Sequence, residues 1–509
     1  MKKKIIIIGA GPGGLTSGML LAHRGYDVTI VEKLDRVGGR NAAIKAGPYT
    51  FDTGPTFLHQ KFTLDEIFAE IDKKPEDYME FVPLNPMTTL RWGDVSLETS
   101  SDMETMKANI EKSFPGESQN YLRFMRDHAE KLQKIFPCLL NPYTKIGNYF
   151  KPHMLRALPY VATKKSVMDV LGEYFTDERL KLAFTFQAKY LGMSPWDCPG
   201  LFSILSYIEY AHGIYHVKGG LSNISEGMAK AFLELGGKLQ LNTEVKEIQY
   251  KGNKKAAAVE LADGTTIECD DLIVNADYAH ARNTIFGQHS ESKEQLLKKK
   301  YSCSTFMLYL GIDKVYADEP HHHVLFADDY HQNLRDIESE ERVSEDMSVY
   351  VRNSSINDPD VAPEGHSQLY VLVPTINNRH GHSWEDTVKE YRDKVIDKII
   401  AKTGMKDLRE HIVEERIITP QGWQESNIFL GATFNLAHTM DQMLSFRPQN
   451  KLKGFDNIYL VGGGTHPGSG LPTIYESARI SSNLICESYG VKRKRVDFAT
   501  EVLNAKVGA

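Results

Sequence analysis

No apolar run in this 509-residue chain approaches the ~20 residues needed to cross a bilayer, so a membrane-spanning fold is not expected. After Met1 and three lysines only Ile5 to Ile8 are continuously apolar, too few for the core of a secretory signal, so the expected location is the cytoplasm. Cysteine is scarce as well. Cys138, Cys198, Cys269, Cys303 and Cys486 are odd in number and form no C-x-x-C pair, which removes a disulfide framework or zinc ribbon and fits a reducing compartment. Basic excess is missing: 60 Lys and Arg face 67 Asp and Glu, a net charge of -7, so a broad nucleic-acid surface is not expected. No G-x-S-x-G, H-E-x-x-H or Walker pattern occurs, and there is no internal repeat or low-complexity tract. The apolar share of 41% and charged share of 25% fit a folded chain of two to four domains or one large composite unit.

The chemistry that is present begins at once. Ile5 to Ile8 reads as a strand buried on both faces, as in parallel sheets. Gly9-x-Gly11-x-x-Gly14 follows, then a helix over Leu15 to Arg24 ended by Gly25, then a second strand over Val28 to Val31 with Glu32 at its end. This is a complete βαβ unit for a dinucleotide. Gly9 permits the tight turn, Gly11 the approach of a pyrophosphate, and Gly14 close helix–strand packing, while Glu32 is placed to accept from a ribose. No second G-x-G-x-x-G exists for a nicotinamide partner, so electrons must leave by another acceptor.

The far end repeats the logic. Asn457 to Val461 reads as a buried strand and Tyr475 to Tyr489 as a helix. Between them lies Gly462-Gly463-Gly464-Thr465-His466-Pro467-Gly468-Ser469-Gly470-Leu471-Pro472, a loop whose glycines suit close approach to a phosphate or flavin edge. Lys238 to Leu241, Val245 to Tyr250 and Leu272 to Asn275 read as further strands, with a hairpin of Ala256 to Leu261 and Thr265 to Cys269 turning at Asp263-Gly264. The nucleotide domain is therefore expected to be discontinuous: 1–95, 215–290 and 450–509. The remaining blocks, 96–214 and 291–449, form an inserted α+β substrate domain. Helices are expected there at Met103 to Phe114, Tyr121 to Ile135 and Trp384 to Thr403, and strands at Phe306 to Leu310 and Leu369 to Pro374. His321-His322-His323 is read as a solvated or substrate-domain loop rather than a metal site, since consecutive side chains diverge and no patterned acid is near.

Several stretches carry a resemblance. They are Val37-Gly38-Gly39-Arg40, Phe51-Asp52-Thr53-Gly54-Pro55-Thr56, His212 to Gly220, Asn275-Ala276-Asp277, Ala362-Pro363-Glu364-Gly365, and the C-terminal glycine loop with Ser477-Ala478 in the following helix. In this order, from Lys4 to about Tyr489, they resemble bacterial phytoene-desaturase-type carotenoid oxidoreductases, within the flavoproteins that include amine oxidases. The resemblance implies an α/β fold, with a Rossmann-like FAD-binding domain and an inserted substrate domain. It also implies FAD held by Gly9, Ala10, Gly11, Gly13, Gly14, Glu32, Lys33, Gly38, Gly39, Arg40, Gly54, Pro55, Thr56, Val245 (through its backbone, against the adenine), Gly463, Gly464, Pro472 and Thr473. Tyr301 to Ser304 and Leu308 to Ile312 resemble the thirty-carbon branch of the family.

The implied activity is desaturation of a linear carotenoid precursor, phytoene or 4,4'-diapophytoene, by hydride transfer to FAD. No side-chain acid or base is identified, and no metal or nucleic acid is expected. A terminal-methyl oxidase, a polyene isomerase or saturase, and a non-enzymatic prenyl-protein escort remain alternatives on the same scaffold. Phe184, Phe186, Tyr190, Phe202, Tyr207 and Tyr210 are candidates for an apolar tunnel. A lipid-dissolved substrate also implies a peripheral membrane contact. From Pro137 to Met168 the chain carries Lys145, Lys151, Arg156, Lys164 and Lys165 among aliphatic and aromatic residues and no acid, and Lys492 to Arg495 adds a second basic cluster.

Overall fold

The computed structural model describes residues 2–141, 143, 147, 150–161, 164–185, 193–492 and 496–497. Phe186, Tyr190, Lys145 and Arg493 to Arg495 lie outside the described residues.

β1 (Lys4–Ile8), α1 (Pro12–His23) and β2 (Asp27–Val31) form the first βαβ unit. Among the described residues a five-stranded parallel sheet runs in the order Lys238–Gln240, β2, β1, Asp271–Val274, Ile458–Leu460. Strand alternation divides the isoleucines of β1 between two cores. Ile5 and Ile7 face α1 and the helices Ser222–Glu234 and Leu471–Ser488, meeting Leu15, Met19, Phe232 and Tyr475. Ile6 and Ile8 face a three-stranded antiparallel layer, Val245–Lys251, Lys255–Leu261 and Thr266–Glu268, meeting Val259, Leu272 and Phe286. Burial on both sides is what the unbroken aliphatic run required.

Both glycine-loop helices start earlier than their periodicity indicated. α1 begins at Pro12, and the C-terminal helix at Leu471 with Pro472 in its first turn. Proline fits a first turn because the N–H it lacks would have no intrahelical partner there. The C-terminal helix is tied down by the buried Arg479, which meets Glu66 at 2.8 Å, Glu476 at 2.9 Å and Glu70 at 3.3 Å.

A seven-stranded sheet forms the second layer system, in the order Ile412–Ile418, Ser304–Ile312, Ser367–Thr375, Val349–Asn353, His322–Leu325, Thr89–Trp92, Val95–Glu98. All its pairs are antiparallel except His322–Leu325 with Thr89–Trp92. The boundary drawn at residue 95 therefore falls inside a hairpin of this sheet. Helix Trp384–Lys402 packs on it through Val395, Ile396 and Ile399. Helices Met103–Ser113, Ser118–Leu139 and Ile204–His212 close over an aromatic core of Phe124, Phe175, Phe184, Tyr207 and Tyr210.

The histidine run departs from expectation. His321, His322 and His323 are all buried, and the last two begin a strand rather than a solvated loop. His321 Nδ1 lies 2.7 Å from Asn357 Oδ1 and His322 Nδ1 2.7 Å from the Tyr350 hydroxyl, so these two rings find polar partners from distant segments, while His323 Nε2 lies 3.2 Å from the carboxylate of nearby Glu319. Among the described residues no group of three or more His, Cys, Asp or Glu is arranged to hold a metal ion.

Candidate flavin site

The loops at the carboxyl ends of the parallel strands converge on one groove. Gly9 has φ +98°, a left-handed conformation suited to glycine. A Cβ at Gly14 would overlap the carbonyl oxygen of Gly9, so turn and helix close on each other with no room for a side chain. Gly11, at the N-cap of α1, has no side-chain cap, which leaves the first-turn N–H groups of Gly13 and Gly14 and the positive end of the helix dipole for an anion. A Cβ on Gly11 would have only Asn275 Nδ2, at 3.1 Å, and Gly38 O, at 3.9 Å, near it. This floor is built of backbone, as a diphosphate needs.

Glu32 ties the two turns together. Its Oε2 accepts the N–H of Ala10 at 2.8 Å and its Oε1 that of Leu34 at 3.0 Å. A carboxylate has about four acceptor sites, so capacity remains for a ribose hydroxyl. Gly38 donates its N–H to Ala10 O at 2.9 Å, and Gly39, with φ +53°, packs beside Gly11. Lys33 is exposed at the edge. Val245 is buried and faces Leu261 across the antiparallel layer.

Arg40 leaves this second turn and donates to Asp277 Oδ2 at 2.6 Å and to Thr433 O at 3.3 Å. Asp277 also caps the helix Tyr278–Thr284 by accepting from the His280 N–H. A guanidinium has five donors, and Arg40 keeps about a third of its side chain accessible beside the groove.

Gly54 and Pro55 are half-buried and Thr56 is buried. Their backbone is clamped from the seven-stranded sheet: the hydroxyl of Tyr309 donates to Thr53 O at 2.7 Å and that of Tyr370 to Gly54 O at 2.6 Å. Thr56 Oγ1 lies 2.7 Å from the hydroxyl of Tyr350, itself 2.7 Å from His322 Nδ1. Burial pushes the Tyr370 hydroxyl well above the ordinary phenol range and His322 well below the ordinary imidazole range, so both are neutral.

The C-terminal loop forms the opposite wall. A Cβ on Gly463 would lie 2.5 Å from Asn435 Nδ2, and one on Gly464 2.6 Å from Tyr278 Cβ. Pro472 and Thr473 are half-buried at the start of the last helix, where Thr473 Oγ1 donates to Gly470 O at 2.9 Å.

Three residues that hold these walls were not among the expected ligands. Asn275 donates to Gly9 O at 3.1 Å and fills the space between Gly9, Gly13 and Gly462. Its position directly after a buried strand was the available signal. Arg447 is fully buried and donates to Gly463 O at 2.6 Å, Thr465 O at 3.2 Å and Leu436 O at 3.2 Å. Desolvation lowers its pKa to about 9. Arg352 is buried too, 2.6 Å from Asp52 Oδ2 and 3.1 Å from His216 Nδ1, while His216 Nε2 meets Asp358 Oδ2 at 2.7 Å. This network fixes the start of the 52–56 segment, since Asp52 also accepts the N–H of Ser222 at 2.9 Å.

The arrangement is that of a flavin-binding oxidoreductase, and comparison with known proteins agrees. The family model of flavin containing amine oxidoreductases matches residues 12–486. The chain belongs to that family and is an FAD-dependent oxidoreductase. It is 46% identical over 508 residues to a 4,4'-diapophytoene desaturase (4,4'-diapolycopene-forming) of Methylomonas sp., covering 99% of each chain. It is 36% identical to the all-trans-zeta-carotene desaturase of Myxococcus xanthus, covering 96% of this chain and 94% of that one. Among solved structures, an oxidoreductase from Methanosarcina mazei superimposes with a TM-score of 0.60 at 16% identity, over 94% of this chain and 99% of that chain, a likeness of fold.

Proposed function

We propose that this protein desaturates a linear carotenoid precursor, with 4,4'-diapophytoene as the preferred substrate. The observation that carries the reading is the end-to-end similarity to the Methylomonas desaturase, together with a groove floored by backbone at Gly9, Gly11 and Gly39. The residues that would hold FAD are the three glycine turns, Glu32 at the ribose and Arg40 beside the diphosphate. The flavin supplies the hydride acceptor that no side chain can provide. The chain's own part is to hold the polyene and exclude water, in keeping with the aromatic core in which Phe124, Phe175 and Tyr210 pack around Phe184. The proposed division sets the parallel sheet and its flanking layers as the flavin unit, and the seven-stranded sheet with the helical layer as the substrate unit.

No helix among the described residues is long and apolar enough to cross a membrane. The substrate would instead be drawn from a lipid surface. Phe150, Leu155 and Leu158 are 72%, 59% and 55% exposed, and Lys151, Arg156, Lys164 and Lys165 are exposed around them. Apolar side chains left in water next to cations suit an anionic interface.

The deciding experiment is anaerobic mixing of holoprotein with the thirty- or forty-carbon precursor. Loss of the oxidised flavin band should accompany growth of polyene absorbance, fastest with the thirty-carbon compound and with no oxygen incorporated. Turnover that needs NAD(P)H and leaves the flavin oxidised, or an aldehyde product, overturns the reading.

A further inference from the structure

The chain leaves Thr56, passes Phe57 and enters the short strand Leu58–His59. That strand pairs with Ile214–Val217, setting His59 opposite Ile214. Helix Ile204–His212 ends just before the partner strand, and the fully buried carboxylate of Glu209 reaches within 3.3 Å of His59 Nε2. The Phe57 ring packs edge-on against His59 at 4.9 Å and against His322 at 5.2 Å.

Desolvation lowers the pKa of His59 to about 4, so its ring is neutral at physiological pH. Yet a fifth of its side-chain surface is accessible. The ring is thus largely desolvated without being wholly covered. Phe57, Phe202, Leu205 and Tyr350 are likewise half-buried and pack against the helical core. His59 itself follows three residues after Thr56, the end of the loop that carries Gly54 and Pro55.

Resting on the desaturase reading, we propose that His59 is the base that removes the substrate proton, with Glu209 as the positioning residue that orients its ring. In the step, one C–H bond of the precursor would break with its electron pair, the flavin held by the site supplying the hydride acceptor. The adjacent C–H bond breaks heterolytically: its electrons form the new C=C bond and its proton goes to His59 Nδ1. The imidazolium formed is stabilised by the carboxylate beside Nε2, and the proton passes to solvent when the product leaves. Two electrons and two hydrogens leave the substrate, and the flavin and the histidine receive them.

The test is single-turnover flavin reduction by 4,4'-diapophytoene in micelles under anaerobic conditions, with flavin content measured on every variant. His59→Phe, His59→Gln and Glu209→Gln should retain FAD. Both His59 variants should reduce it about 100-fold more slowly than the parent. Added imidazole should restore part of the rate to His59→Gly, a response that a packing role would not give. Histidine nitrogen NMR of the parent should show His59 neutral at pH 7 with its proton on Nε2, and Glu209→Gln should change that tautomer balance. A parent that leaves its flavin oxidised with both precursors counts against the desaturase reading itself. A parent that reduces its flavin while the flavin-replete His59 and Glu209 variants stay within about twofold of it, or a His59 already protonated at pH 7, overturns the role of the pair. Should His59→Phe lose its flavin, the two Gln variants decide.

Discussion

Both sheets bury aliphatic side chains, such as Val351 and Val371 in the seven-stranded one, but they differ in what else they take inside. The centre of the parallel sheet is aliphatic: Ile5 to Ile8 on β1, Val28, Ile30 and Val31 on β2, and Leu272 to Val274 beside them. The seven-stranded sheet takes ionisable groups inside. Arg352 is fully buried on one strand, His322 and His323 on the next, and Tyr309 and Tyr370 behind the 53–56 segment. An aliphatic strand needs only covering layers. A buried arginine needs its particular partners, because an unpaired buried charge costs several kcal/mol. The first region is thus specified mainly by shape, the second by pairing between distant segments, and substitutions can separate the two.

The largest effect is expected where shape alone governs. Gly14→Val places a side chain into the Gly9 carbonyl, and neither backbone can retreat without opening the β1–α1 turn. The variant should purify without flavin and with a collapsed thermal midpoint, measured by flavin absorbance and calorimetry. Gly25→Ala provides the contrast. Nothing lies within 4 Å of its Cβ position, so only the cost of the left-handed backbone at φ +90° remains, about 1 kcal/mol.

The second test breaks pairing. Arg352→Met leaves Asp52 buried and unpaired, and should cost about 3–5 kcal/mol of stability. Replacing Asp52 by Leu as well should recover much of that loss, because two apolar groups leave no orphan charge between them. Chemical denaturation of the three variants decides it. Equal losses in the single and double variants would mean that His216 and Ser222, not the ion pair, carry the site.

This contrast also explains what could be read from the residues beforehand. The βαβ unit, the interrupted sheet and the glycine loops were legible because their signals are local. Four isoleucines in a row and a glycine at each close approach mean the same thing in any context. Strand His322–Leu325 was not legible. It opens on two histidines, and its burial depends on Val349–Asn353 and on Thr89–Trp92, the latter more than 200 residues away in sequence. Arg352 is likewise indistinguishable from a surface arginine until Asp52, 300 residues earlier, is brought to it. Glu209 and His59 share this character, which is why no acid–base pair emerged from the residues alone.

The third test lies where the regions meet. Arg40 reaches from the flavin turn to Asp277 at the end of the parallel sheet and to Thr433 in the chain around the seven-stranded one. Arg40→Ala should weaken FAD retention by about 1.5–3 kcal/mol, the range of a charge-assisted contact. Arg40→Lys should recover only part of this, since an ammonium cannot span two acceptors and still address a diphosphate. Dialysis followed by FAD titration measures both. Full flavin occupancy in Arg40→Ala would mean that this arginine serves Asp277 alone.

The smallest effect is expected at the exposed helix Pro152–Val161, where neither shape nor buried pairing operates. Ala157 is its fully buried anchor, whereas Leu155, Arg156 and Leu158 face outward and Lys151 precedes its first turn. Lys165 is paired with Glu173, whereas Lys151 makes no ion pair among the described residues. A single cation near an anionic surface contributes about 1 kcal/mol, so Lys151→Gln should weaken binding to anionic liposomes by roughly fivefold at low salt. The same change should do little at 0.5 M salt, where screening has already removed the attraction. Lys165→Gln should weaken binding less, because its charge is already shared with Glu173. Neither change touches the groove, so flavin content and turnover of micelle-borne substrate should match the parent, while turnover of liposome-borne substrate falls with binding. Cosedimentation at two salt concentrations measures this, and equal binding by the Lys151→Gln variant and the parent at low salt would move the lipid-facing surface away from this helix.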